Sequence, residues 1–118
     1  MSNSLFAIAI DCADAPAVAR FWSDVLGRPA AEDSTAEPVV LLAGDGAGGG
    51  PAIIFNHVPE PKIVKNRVHL DLVSDTFEAE TERLLSLGAR KLAERQGDKV
   101  HWATFADIEG NEFDLIAG

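Results

Sequence analysis

The sequence predicts an α+β domain built from two tandem βαβββ modules, and three observations carry that reading. Residues 14–27 and 75–88 share one layout, with an aspartate at the start, a run at helical spacing and a Leu-Gly stop. The two copies are offset by 61 residues, about half of the 118 in the chain. A short apolar segment of strand type precedes each run, and segments that read as strands, separated by turn residues, follow it. The length and the 47% apolar content suit one domain with a single core. Within it the expected divisions are module one at 1–58, a connector at 59–66 and module two at 67–118.

In the first module, residues 5–12 (LFAIAIDC) are apolar almost throughout, as a strand covered on both faces would be, with Ala7, Ala9 and Asp11 on one side. Asp14 holds the position of an N-cap and Pro16 stands in the first turn. Val18, Phe21, Trp22 and Val25 then fall at helical spacing until Gly27 stops the run, so Trp22 belongs to a core-facing stripe. Residues 28–33 read as a short strand, and 37–43 (EPVVLLA) and 51–57 (PAIIFNH) as a hairpin. The loop between them, 44–49 (GDGAGG), has the letters of a dinucleotide fingerprint, but Pro51 and a strand follow it. Phosphate binding needs a helix N-terminus at that point, so a plain hairpin loop is expected.

The connector carries Pro59 and Pro61, which oppose regular structure, and Lys62, Lys65 and Arg67 near its end offer either a solvated basic cluster or a grip on an anion. The stretch 65–75 (KNRVHLDLVSD) opens the second module with a strand. Its Val68, Leu70 and Leu72 face one way, and His69 and Asp71 the other. Asp75, with Glu78 three residues on, forms a capping box for a helix carrying Phe77, Leu84, Leu85 and Leu87 and ended by Gly88. Strands at 89–94, 99–105 and 111–116 follow, the last two joined by the acidic turn 106–110 (ADIEG). His101 and Trp102 alternate on the middle strand of the three, and the sequence leaves open which of them lines a cavity.

The net charge of −9, from 10 basic against 19 acidic residues, argues against a nucleic-acid partner, because phosphate binding needs clustered Lys and Arg. No run approaches the roughly 18 apolar residues of a membrane span, and the start of the chain lacks the basic region and cleavage site of a signal peptide. A cytoplasmic protein with no membrane partner is therefore expected. Cys12 is the only cysteine, which rules out an intramolecular disulfide and leaves strand packing as its expected role. Nothing activates Cys12, and no serine stands in a nucleophile elbow, so nucleophilic catalysis is not expected.

A tandem βαβββ repeat of this size, with HLDL at 69–72 ahead of Asp75 and DIEGNEF at 107–113, resembles the vicinal oxygen chelate superfamily. More narrowly, it is similar to the glyoxalase-like domain proteins grouped with glyoxalase I, bleomycin resistance proteins and extradiol dioxygenases. The resemblance spans essentially the whole chain. It implies curved mixed sheets forming a cleft, helices on the outer faces, and pairing of two chains as a homodimer, which would also cover free sheet edges. In the metal-dependent members, ligands come from the first and last strands of each module. Carried over by motif, these fall on His69, six residues before Asp75, and on Asp114, seven residues after Asp107. An imidazole and a carboxylate suit a first-row divalent ion. The matching positions of the first module are Ala7, or Ile8 with a one-residue slip, and Ile54, none of which can bind a metal. Asn56 shares the strand face of Ile54, whereas His57 lies on the opposite one. Two of four ligands are thus missing, so no cofactor is expected. A divalent metal enters only where Glu112, Asp71 or Asp11 completes a site with His69 and Asp114.

The expected ligand-binding residues are His69, Asp71, Asp114, Glu112, Trp102 and Asp11. Three roles are open to His69: a metal ligand, a base or binding group in a metal-free pocket, and a histidine hydrogen-bonded within the sheet. Asp71 is open to a pocket role or a hydrogen bond to a neighbouring strand, and Trp102 to stacking on a flat ligand or to core packing. So many inward carboxylates need water, a basic partner, a proton or a bound cation. The function implied is metal-free binding or sequestering of a small polar molecule, of the bleomycin-resistance type. The alternative is a metal-dependent lyase, isomerase or dioxygenase of the same superfamily, and a structural or interaction role is the third.

Overall fold

The computed structural model describes residues 2–31, 38–41 and 50–118. It divides into two compact units, Met1–Pro61 and Lys62–Gly118. The architecture is α+β, with two helices and two mixed sheets of three and four strands among the described residues.

The first unit runs β1 (Ala7–Cys12), α1 (Ala15–Leu26), β2 (Val39–Leu41) and β3 (Ala52–His57). The sheet order is β1-β3-β2, with β1 parallel and β2 antiparallel to β3. Pairing in this register sets Ile8 and Ile10 beside Ile53 and Phe55 on one face, and Ala7, Ala9 and Asp11 beside Ala52, Ile54 and Asn56 on the other. The helix forms where the sequence reading places it. Asp14 accepts the N–H of Ala17 at 3.1 Å, and Gly27 closes the helix in the left-handed conformation (φ +65°), its N–H bonded to Ser23 O. Its stripe of Val18, Phe21, Trp22 and Val25 is buried, as are Val39, Leu41, Ile53 and Phe55 of the sheet. Full burial of each large side chain contributes on the order of 1.5–3 kcal/mol.

The strand expected at 28–33 is reduced to one bridge, Ala30 with Leu41, and a bond from Ala31 N to Val40 O. Pro29 has no N–H to give a ladder, and residues 32 and 33 lie outside the described residues. The same holds for the glycine-rich loop at 44–49 and for the ends of the strand expected at 37–43.

The second unit carries the full βαβββ order: β4 (Leu70–Ser74), α2 (Phe77–Ser86), β5 (Arg90–Gln96), β6 (His101–Ala106) and β7 (Glu112–Ala117). The sheet order is β4-β7-β6-β5, with β4 parallel to β7 and the other pairs antiparallel. Phe113 and Leu115 on β7 share a face with Ala103 and Phe105 on β6 and with Leu70 and Leu72 on β4. The Phe105 and Phe113 rings stack at 5.7 Å, and Phe77 and Leu84 are the buried residues of α2. One capping expectation is corrected. The N-cap of α2 is Thr76, with no side-chain bond to the helix, so the box of Asp75 and Glu78 does not form. Ser74 Oγ accepts the Thr76 N–H at 3.1 Å, which fixes the chain one residue further on, and the acidic Glu78 and Glu80 still complement the helix N-terminus. Leu85, expected in the apolar stripe, is exposed.

Asp107 is 3% exposed and organises the turn between β6 and β7. Its Oδ1 accepts the N–H groups of Glu109 and Asn111 at 2.9 Å each, and its Oδ2 accepts Asn111 Nδ2 at 3.0 Å. A buried carboxylate is tolerable only with such a full set of donors. Gly110, at φ +92°, lets the chain reverse over it. No helix among the described residues is long and apolar enough to cross a membrane.

Candidate functional site

The parallel pairing of β4 with β7 sets Asp71 directly opposite Asp114, and the antiparallel pairing of β7 with β6 sets Thr104 opposite Asp114. These three side chains therefore form one row across the sheet, on the face opposite Leu70, Phe113 and Phe105. Val73, Ile116 and Trp102 form the next row on the same face. His69 lies just before β4, two residues from Asp71, and alternation brings it to the same side.

The polar groups meet. His69 Nδ1 lies 3.0 Å from Asp71 Oδ1, and the Thr104 hydroxyl donates to Asp114 Oδ1 at 2.6 Å. One ligand-capable atom from each of His69, Asp71 and Asp114 lies within 4.8 Å of the others. Asp71 and His69 are exposed and Asp114 is half-buried. Beside them opens a cavity of about 350 Å³, lined by Lys99, Val100, Trp102, Asp114 and Ile116 among others. The arrangement offers carboxylate acceptors and an imidazole at one end, and an aromatic and aliphatic wall at the other.

Trp102 faces this side of the sheet and His101 the other. The His101 ring lies 3.9 Å from that of Phe77 on α2, and its Nε2 is 2.7 Å from Glu94 Oε2. The hydrogen bond with His101, joined by that from Lys91, holds the Glu94 carboxyl below the usual glutamate range.

Glu112 shares the face of Asp114 but not its cluster. Its Oε1 accepts the Asn66 N–H at 2.9 Å and its Oε2 pairs with Lys62 Nζ at 3.2 Å. The backbone bond from Asn66, and next the bond from Lys62, keep this carboxyl below its ordinary range against the effect of partial burial. Glu112 thereby fastens residues 62–66 to the start of β7, and Lys62 is engaged as its partner. Asp11 lies in the first unit, exposed, opposite Asn56 on the face that holds Ala7 and Ile54. The described carboxylate and imidazole donors that come together are thus His69, Asp71 and Asp114. Thr104 was not singled out by the sequence. Its place two residues from Trp102 on one strand face is the signal that could have found it.

In both units the first strand pairs in parallel with the last, and one helix accompanies each sheet. This is the arrangement of the glyoxalase, bleomycin resistance and dioxygenase superfamily, the vicinal oxygen chelate group. Within it, the chain belongs to the glyoxalase-like domain family, whose model matches residues 7–116. Among solved structures, it is similar to a point variant of the fosfomycin resistance protein FosX from Listeria monocytogenes, complexed with Mn(II) and a dihydroxypropylphosphonic acid. That match has a TM-score of 0.78 at 20% identity and covers 100% of this chain and 92% of that one. A glyoxalase/bleomycin resistance/dioxygenase family enzyme from Burkholderia phytofirmans matches with a TM-score of 0.72 at 21% identity, over 94% of this chain and 95% of that one. The oxidase ChaP-H2 matches with a TM-score of 0.72 at 18% identity, over 100% and 95%. These likenesses concern the fold. No curated protein sequence matches the chain.

Proposed function

We propose that this chain is a metal-free binding or sequestering protein of the bleomycin-resistance type, which holds a small polar molecule on the face of its second sheet opposite α2. The convergence of His69, Asp71 and Asp114 beside the cavity at Trp102 carries the reading. Two of these groups are already oriented by short contacts, His69 by Asp71 and Asp114 by Thr104, so little side-chain freedom is lost when a ligand docks. The first unit adds no metal donor at Ala7 or Ile54, the two positions that the resemblance assigns to its ligands.

A second reading is favoured by one observation: Asp71 supplies a third donor beside His69 and Asp114. A nitrogen and two carboxylates fit a first-row divalent ion held by these three residues. When bound, such an ion would act as a Lewis acid toward two neighbouring substrate oxygens in a lyase, isomerase or dioxygenase reaction. Elemental analysis separates the two readings. Protein purified without chelator or added metal should hold well under one equivalent of Ni, Zn, Fe, Mn or Co. Near-stoichiometric metal that disappears in the His69→Ala variant would overturn the binding-protein reading.

The chain is further read as a homodimer, because β4 and β5 end the second sheet as free edges among the described strands, and the expectation of a cytoplasmic location is kept. Light scattering that gives a monomer at micromolar concentration would reject the dimer.

A further inference from the structure

Resting on the metal-free reading above, we infer that the ligand is an organic monocation with a flat apolar body: its charged group lies at Asp71 and Asp114, and its body lies against Trp102, Ile116 and Val73. At one end, two carboxylates stand directly opposite each other on adjacent strands. Like charges held this close repel, and a bound cation relieves that repulsion while accepting their lone pairs. Thr104 donates to one oxygen of Asp114 and His69 stands 3.0 Å from one oxygen of Asp71, which leaves the other carboxylate oxygens open to N–H donors of a ligand.

The next row along the same face is apolar and exposed. Val73 is 72% and Ile116 36% exposed, and Trp102 beside them is half-buried. Two residues along a strand span about 6.6 Å, close to the distance from an ammonium group to the far edge of an aryl ring two carbons away. An aryl or similar flat body therefore reaches the Trp102 ring when the ammonium sits at the carboxylates, and both are desolvated by the same docking event.

The far end sets the number of charges. Arg95 stands opposite Trp102 on β5, and Lys99 lines the cavity. A second positive charge on the ligand would meet these two, so the face is matched to one cation at one end only.

The test uses four probes of one size at neutral pH: phenethylamine, phenethyl alcohol, phenylacetate and p-xylylenediamine. Binding is read by tryptophan fluorescence, with a Trp102→Phe variant separating the signal of Trp102 from that of buried Trp22. Phenethylamine should bind at least about 10-fold more tightly than the alcohol, with phenylacetate and the diamine weaker than the amine. Asp114→Asn should remove most of the amine's advantage by weakening the amine far more than the alcohol, and the more exposed Asp71→Asn gives the same reading should Asp114→Asn fail to fold. Equal binding of amine and alcohol, or preference for phenylacetate or the diamine, overturns the monocation. If a non-cationic probe binds and His69→Ala weakens it, the binding-protein reading stands while the ligand class falls. If no probe binds and the protein carries stoichiometric metal, both fall.

Discussion

Nδ1 of His69 lies 3.0 Å from Oδ1 of Asp71 across a two-residue step at the start of β4, a separation at which the carboxylate favours a proton on that nitrogen of the ring. A proton on Nδ1 would leave the lone pair on Nε2, free to serve as an acceptor or ligand. In long-range proton–nitrogen NMR at a pH where the ring is neutral, His69 should show the Nδ1–H form. Asp71→Ala should return the ring toward the Nε2–H form preferred by free imidazoles. An Nε2–H ring in the unmodified protein would show that the contact does not hold in solution.

The two helices start differently although the sequence presents them alike. Asp14 accepts an N–H of α1, so Asp14→Ala should destabilise the protein by about 1 kcal/mol. Asp75 makes no such bond to α2, and Asp75→Ala should change stability by no more than about 0.5 kcal/mol. Urea denaturation of both variants checks the contrast, and equal losses would contradict it.

Asp107 satisfies three donors inside the turn before β7. Asp107→Ala leaves them without an acceptor, and a loss of about 2–4 kcal/mol is expected in the same measurement. Asp107→Asn retains one acceptor oxygen and should lie between the two.

Glu112 links acidity to the connector. Its folded carboxyl titrates below the ordinary glutamate value of 4.5, chiefly through the Asn66 N–H. The stability it contributes is therefore fully present above that value and is lost as pH falls through the depressed one. Hydrogen exchange at the Asn66 amide should accelerate relative to its intrinsic rate as the pH drops below 4.5. In Glu112→Gln that additional pH dependence should vanish. Identical profiles in the two proteins would sink the assignment.

Much of the second unit can be read directly from its sequence, because strand alternation around His69 and Asp71, helical spacing from Phe77 to Leu84 and the turn at Asp107 are local signals. What escaped depends on pairing or on competition between neighbours. The sequence reading places Asp71 and Asp114 in one cavity, but that they stand directly opposite each other follows from a parallel register between distant strands, which no local pattern encodes. Alternation separates His101 from Trp102 but does not say which meets α2; the Phe77 ring decides that. Asp75 and Thr76 are both good caps, and the bond from Ser74 to the Thr76 backbone selects the second. Glu112 and Asp114 look equivalent on their strand face, yet Asn66 and Lys62 draw one of them away from the cluster.

The last strand of the second unit, β7, lies inside its sheet with β4 on one side and β6 on the other. During synthesis β4, β5 and β6 leave the ribosome first, and β4 has no in-sheet partner until β7 follows. The β4–β7 and β6–β7 ladders, and with them the Asp71–Asp114 row, therefore form only once β7 is available. A chain halted before β7 would leave the flanks of β4 and β6 unpaired, a state open to strand exchange with other nascent chains.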